Sequence, residues 1–222
     1  MSPSQRTRIK ICGLTRPEDV DAAVEAGADA LGLVFYPRSP RYVSLEHART
    51  LVQRIPPFVT PVGLFVNATE QEVLQACAAI PNLLLQFHGD EGPGQCEAPQ
   101  RPYLRAARMS EGFDLLDFAA QYAATEHAKA VLLDAHLEAY GGGGKVFDWS
   151  LIPSDVPLPV VLSGGLNPAN VTDGVLRVRP WAVDVSSGVE VSKGIKDPLA
   201  MRRFCEAVRE ADARRADLDS GY

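Results

Sequence analysis

The sequence predicts an α/β protein built as one closed (β/α)8 barrel, and three observations predict it. Short β-branched and aliphatic runs alternate with helical patterns roughly every 20–30 residues, the length of one strand–helix unit. Eight such runs fill the 222 residues with little left over, and no Ser/Gly linker or change of composition divides them, so residues 1–222 read as a single domain. Runs such as Ala130-Val131-Leu132-Leu133 are apolar without alternation, which suits parallel strands covered on both faces. Strict alternation of strand and helix also admits an open doubly wound sheet, but eight equal units favour closure.

The elements follow in order. A strand at Arg8–Cys12 precedes a helix at Pro17–Ala26, where Thr15 offers a capping oxygen ahead of a proline whose missing N–H costs little in a first turn. Ala30–Phe35 leads to a helix at Leu45–Arg54, and Thr60–Val66 to one at Glu70–Ala79. Leu83–Phe87 is followed only by a short pattern near Asp90–Ala98. Tyr103–Ala107 is followed by Gly112–Ala123, and Ala130–Asp134 by a short pattern near Asp148–Ile152. Pro159–Leu162 leads through a capping Asn167 to Pro168–Leu176, and Trp181–Val185 to Pro198–Ala211. The charged tail 212–222 is expected to fray.

Composition narrows the function. Twenty-two Lys and Arg against 28 Asp and Glu give a net charge of −6, which disfavours nucleic acid or an anionic membrane as partner. No run of about 18 uncharged apolar residues occurs, and the first ten residues are polar and basic, so a cytoplasmic protein is expected. Cys12, Cys77, Cys96 and Cys205 form no C-x-x-C pair, which argues against a zinc knuckle or a disulfide scaffold. Cys77 and Cys205 lie in helical patterns, where a thiol behaves as a small hydrophobe. His47, His127 and His136 show no metal-ligand spacing and are expected to face solvent.

A closed barrel places its chemistry at the C-terminal ends of its strands. Those ends carry Cys12, Arg38 and Arg41, His88, Asp134, Ser163-Gly164-Gly165 and Ser186-Ser187-Gly188. Glycine loops after the last two strands let backbone N–H groups approach an anion, and two such loops side by side point to a phosphate where one alone would be an ordinary turn. Gly141-Gly142-Gly143-Gly144-Lys145 is either a flexible lid or a further anion contact, and its spacing is not that of a nucleotide-hydrolysing loop. Two prolines stiffen the loop carrying Arg38 and Arg41, one of which is expected to grip a carboxylate through its planar fork. Cys12 and Asp134 should face one another across the mouth and divide proton abstraction and donation without a metal. Lys10 shares the strand face of Cys12, where a cation favours thiolate. His88 either orients the substrate or bonds to backbone, and Asp184 holds either a loop or a ligand hydroxyl.

Lys10–Thr15, Phe35–Val43, Val62–Asn67, Leu85–Gly89, Leu162–Val171 and Asp184–Glu190 together closely resemble the phosphoribosylanthranilate isomerase family of tryptophan biosynthesis, in order, from about Arg8 to Phe204. The resemblance implies a TIM barrel that converts N-(5-phosphoribosyl)anthranilate into 1-(2-carboxyphenylamino)-1-deoxyribulose 5-phosphate, a cofactor-free Amadori rearrangement of a small phosphorylated aminosugar. Carried over position by position, it makes Cys12 the general base, Asp134 the general acid and Arg41 the ligand of the anthranilate carboxylate. The backbone around Gly164, Gly165, Ser186, Ser187 and Gly188 would hold the phosphate. Phe87 stands where leucine is common, and Gly143 where a hydroxyl residue is frequent. The rival readings are an indoleglycerol-phosphate synthase-like lyase, which would want a lysine acid and a glutamate in the mouth, and a catalytically silent phosphosugar-binding barrel. A monomer and a homodimer are both compatible with the sequence.

Overall fold

A computed structural model describes residues 6–135 and 147–220. Eight parallel strands close on themselves in chain order: β1 (Arg8–Cys12), β2 (Ala30–Val34), β3 (Thr60–Phe65), β4 (Leu84–Phe87), β5 (Tyr103–Met109), β6 (Ala128–Ala135), β7 (Val160–Leu162) and β8 (Ala182–Val185). Closure is made by β8 on β1, with Ile9 opposite Val183 and Lys10 opposite Asp184. β5 and β6 are longer than their apolar runs because they pair in unbroken register from Leu104↔Ala130 to Met109↔Ala135, and across a register shift at Tyr103↔Ala128.

Outside lie α1 (Pro17–Ala26), α2 (Leu45–Val52), α3 (Glu70–Ala79), the short α4 (Pro93–Glu97), α5 (Leu115–Ala123), α6 (Val171–Val178) and α7 (Pro198–Ser220). Single turns of 3-10 helix occupy Trp149–Leu151 and Ser187–Val189, and a small hairpin joins β9 (Glu190–Ser192) to β10 (Ile195–Lys196). Strand and helix positions agree with the sequence to within a few residues, and the differences have local causes. Thr15 does not cap α1: its hydroxyl donates to the Gly194 carbonyl at 2.5 Å, and Arg16 instead braces the first turn by forking onto Asp19. Residues 168–170 form a separate turn before α6, held by Asn167 Oδ1 accepting from Ala169 N and Asn170 Oδ1 accepting from Asn167 N.

The tail is the larger correction. α7 runs to Ser220 because residues past Ala211 have partners in the body of the barrel. Asp212 accepts from both the backbone N–H and the hydroxyl of Thr7, each at 2.7 Å, and Arg215 is buried beside Asp212. Tyr222 lies outside the described residues, as do His136, Gly141–Gly144 and Lys145. No described helix is long and apolar enough to cross a membrane.

The strands' two-residue period sorts their side chains into two cores. Ile9, Ile11, Leu31, Leu33, Leu85 and Val183 point outward and pack under the helices. Val62, Leu104, Ala106, Ala130, Leu132, Val161 and Ala182 point inward and fill the lower barrel. The next inward positions, toward the strands' C-terminal ends, change character: Lys10 and Cys12 on β1, Gln86 and His88 on and after β4, Asp134 on β6, Ser163 after β7 and Asp184 on β8.

Candidate active site

The barrel places Cys12 at the tip of β1 and Asp134 near the tip of β6, with only β7 and β8 between them on the shorter way round. The two glycine loops follow those two intervening strands. They also touch: a Cβ on Gly188 would stand 1.9 Å from the Leu166 carbonyl oxygen, so only glycine lets the second loop lie against the first. Gly164 has φ +76°, and a Cβ there would stand 2.4 Å from the Ala135 nitrogen and 3.0 Å from Asp134 Oδ1. The Gly164 backbone therefore forms one wall of the Asp134 carboxyl.

Asp134 is fixed from two further sides. Its Oδ1 accepts from Ala135 N at 2.9 Å, and its Oδ2 lies 3.1 Å from His88 Nε2. His88 in turn has Nδ1 3.1 Å from the amide nitrogen of Gln86, two residues earlier on the same strand face. The loop that carries His88 is pinned by guanidinium groups of β5: Arg105 donates to the Phe87 and Gly89 carbonyls, and Arg108 to that of His88. Of the two roles left open for His88, the structure thus gives its ring to Asp134 and Gln86.

Cys12 is 4 % exposed, and burial pushes its thiol up by more than Lys10 pulls it down. The expectation that Lys10 would favour thiolate is therefore outweighed, because the Lys10 ammonium has its own counter-ion. Lys10 Nζ donates to Asp184 Oδ1 at 2.7 Å, and Ser163 Oγ donates to Asp184 Oδ2 at 3.2 Å. Burial alone would depress Lys10, but Asp184, with Cys12 adding, holds it up at about 12. Of the two roles expected for Asp184, the loop role is the one seen: one oxygen takes Ser163, the first residue of the loop after β7, and the other takes Lys10.

The two arginines separate cleanly. Arg38 is exposed, whereas Arg41 is buried. Its fork, Nε and Nη2, lies on the two carboxylate oxygens of Glu190 at 2.7 Å each, so the bidentate face expected to grip a ligand is occupied by protein. Glu190 also accepts from Lys196 Nζ at 2.8 Å, and Lys196 donates to the Ser186 carbonyl. Ser186 Oγ donates to the Cys12 carbonyl at 3.0 Å, which ties the loop after β8 to the tip of β1. Ser187 opens the 3-10 turn that carries Gly188.

Gln86, Glu190 and Lys196 were not singled out from sequence. Gln86 had a signal, since it shares the face of His88 by the strand period. Glu190 had none, because its partner Arg41 lies 149 positions away. Of the other histidines expected to face solvent, His47 and His127 are half-buried and partnered, and His136 lies outside the described residues. His47 Nε2 contacts the Thr15 carbonyl at 2.7 Å, and His127 pairs with Glu97.

A closed barrel with a thiol and a carboxyl at its mouth, and paired glycine loops between them, defines a (β/α)8-barrel enzyme that moves protons on an anionic substrate. The family description "N-(5'phosphoribosyl)anthranilate (PRA) isomerase" matches residues 9–207. An N-(5'-phosphoribosyl)anthranilate isomerase of Leptothrix cholodnii is 76% identical over 222 residues, 100% of this chain and 99% of that one, and one of Dechloromonas aromatica is 61% identical over 207 residues, 93% and 98% of the two chains. The solved phosphoribosyl anthranilate isomerase of Thermotoga maritima has a TM-score of 0.84 at 42% identity, covering 92% of this chain and 99% of that one. A further isomerase structure, in complex with reduced 1-(o-carboxyphenylamino)-1-deoxyribulose 5-phosphate, has a TM-score of 0.81 at 39% identity over 92% and 99%. The chain belongs to the PRA isomerase family. Its activity is the aldose–ketose isomerisation of phosphoribosylanthranilate in tryptophan biosynthesis, and this decides against the lyase and the silent barrel.

Proposed function

We propose that Cys12 is the general base and Asp134 the general acid of this isomerisation. Asp134 gives a proton to the furanose ring oxygen while the C1–O bond breaks and the anthranilate nitrogen forms a double bond to C1. The resulting protonated Schiff base brings a positive charge to the sugar, which favours thiolate at the buried Cys12 when the thiolate is needed. Cys12 takes the proton from C2, the released pair forms the C1=C2 bond of an enolamine, and proton loss from the C2 hydroxyl with proton gain at C1 gives the ketose. The backbone of Gly164, Gly165, Ser186, Ser187 and Gly188 holds the phosphate, and Arg41 holds the anthranilate carboxylate. Asp184 acts through Lys10 and Ser163.

The observation that carries this reading is the placement of Cys12 and Asp134 on strands separated only by the two that bear the glycine loops. A molecule anchored in those loops lies between base and acid. A related structure holds a phosphorylated, carboxyphenyl-bearing ketose derivative, which fits the same three demands of anion, carboxylate and sugar. We place the protein in the cytoplasm, as a biosynthetic enzyme with a small-molecule substrate. A Thermotoga maritima relative is described as dimeric, and sedimentation of this chain decides between homodimer and monomer.

The test follows the anthranilate-type fluorescence of freshly made phosphoribosylanthranilate. The wild-type chain should abolish it, whereas Cys12→Ala and Asp134→Asn should bind the reduced product analogue and leave the fluorescence standing. Near-normal turnover by either variant removes that residue from its role.

A further inference from the structure

Gln86 is a fully buried amide in the barrel interior, two residues above Leu84, which faces the lower apolar layer. Its nitrogen faces His88 Nδ1 at 3.1 Å, and among the described residues its Oε1 is buried with no hydrogen-bond partner. Buried polar groups are normally satisfied, and an apolar side chain of similar volume would fill this layer without leaving an orphaned oxygen. The amide stands there against packing, and among the described residues the side chain it bonds is His88.

That bond decides where the imidazole carries its proton. An amide N–H donates, so the Nδ1 it faces must offer a lone pair, and the ring proton then sits on Nε2. Nε2 points at Asp134 Oδ2, 3.1 Å away, and both side chains are largely buried, 11% and 16% exposed. An N–H so aimed bonds best to a carboxylate, the form Asp134 takes once it has given up its proton. We infer that Gln86 is a positioning residue that selects the Nε2–H tautomer of His88, and through it stabilises the Asp134 carboxylate as that carboxylate forms. The proton itself passes only between Asp134 and substrate, and Gln86 and His88 keep theirs throughout. This rests on Asp134 as the general acid.

Two measurements test it, and the first is independent of that assignment. Long-range ¹H–¹⁵N spectra of the wild-type chain, with His88 assigned by comparison with His88→Asn, should show the Nε2–H tautomer. The Nδ1–H tautomer would overturn the inference, whatever acid the enzyme uses. Gln86→Met should lower kcat about tenfold or more, within the range by which acid–base groups contribute, with KM changed less than about twofold. Its unfolding midpoint should be equal to or above that of wild type, because the orphaned oxygen is gone. Gln86→Glu, which offers an acceptor at the same size, should turn His88 to the Nδ1–H tautomer and lower kcat further. Unchanged kcat in Gln86→Met, or a fall in its unfolding midpoint with kcat and KM failing together, would make Gln86 a packing residue and sink the proposal. If Asp134→Asn turns over normally while His88 shows the expected tautomer, the acid assignment fails and the tautomer selection stands.

Discussion

The lower and upper halves of the barrel interior are made by the same strands and differ by one step along each. On β6, Leu132 is fully buried among apolar neighbours, and Asp134, the next residue on that face, lies at the mouth beside His88. On β8 the step is from Ala182 to Asp184, on β7 from Val161 to Ser163, and on β4 from Leu84 to Gln86. Below, Val62, Leu104, Ala106, Ala130, Leu132, Val161 and Ala182 form an apolar cluster that contributes by excluding water. Above, most polar atoms are held by another polar atom, and the geometry is set by hydrogen bonds. A barrel can thus concentrate stability and chemistry at opposite ends without separate domains, because neither end shares side chains with the other.

The largest expected effects lie at the two extremes of that division. Asp134→Asn should reduce kcat by about a thousandfold or more, in line with loss of a positioned acid, while the unfolding midpoint stays near that of wild type. Leu132→Ala should do the reverse. Removing a fully buried leucine costs about 2–5 kcal/mol, and at about 2–4 °C per kcal/mol for a chain of this size the midpoint should fall by several degrees, with the remaining folded protein turning over normally. Calorimetry and the fluorescence assay on both variants check the pair. A Leu132→Ala enzyme with an intact midpoint and a crippled kcat would show that the halves are not independent.

Next comes the loop after β2. Arg41→Ala should raise KM by about ten- to a hundredfold, the scale of a charge-assisted contact to the substrate, with a smaller change in kcat. Arg38→Ala should leave both constants within about twofold, because Arg38 is exposed. Steady-state kinetics on the two variants separates them, and a large effect at Arg38 would move the carboxylate contact outward.

How far sequence reached this site depends on the range of the interactions. Strands, helices and the closed sheet were legible because periodicity and turn chemistry are local, and strand tips named Cys12, Asp134 and the glycine loops because a barrel presents its tips to one face. What holds those tips was not legible. Lys10 meets Asp184 across 174 positions and Ser186 meets the Cys12 carbonyl across the same interval, pairings that exist only once β8 has closed on β1. Arg41 looked like a free fork because nothing near it in sequence announces Glu190. The failed cap at Thr15 has the same cause: a hydroxyl suited to a helix start is taken by the carbonyl of Gly194, at the far end of the chain. Tail 212–222 reads as frayed because its charges are local, while the partner of Asp212, Thr7, is not.

A smaller effect sharpens the view that charge in the upper half is structural as well as chemical. Burial would raise the Glu190 carboxyl, but its bonds to Arg41 and Lys196 prevail and hold it below the ordinary value of 4.5. A carboxyl with a lowered folded value contributes stability that is fully present above its unfolded value and is lost as pH falls through the folded one. Unfolding midpoints of wild type and Glu190→Gln should therefore differ by a constant amount between about pH 6 and 8, begin to approach one another as pH falls past the ordinary carboxylate range at about 4.5, and meet only below the lowered folded value. A difference that persists unchanged at low pH would place the role of Glu190 in its shape and not its charge.

The smallest effect probes the opposite face, where chemistry is absent and charge still does mechanical duty. Asp212 on α7 accepts two hydrogen bonds from Thr7, which leads into β1, and so ties the last helix to the first strand at the barrel's lower rim. Asp212→Asn can still serve both Thr7 groups, because the hydroxyl can accept from the amide, but it gives up the charge assistance of the carboxylate, so it should lower stability by about 1 kcal/mol. The tip of β1 carries Cys12, five residues on and at the other end of the strand, with Ile9 and Ile11 locked in the outer core between them. A loosened lower rim should not travel through that packing to the thiol, and kcat and KM should stay within about twofold of wild type while the midpoint falls by a few degrees. If kcat fell with it, β1 would be moving as a rigid rod, and the separation of stable floor from reactive rim would hold only for side chains and not for the backbone that carries them.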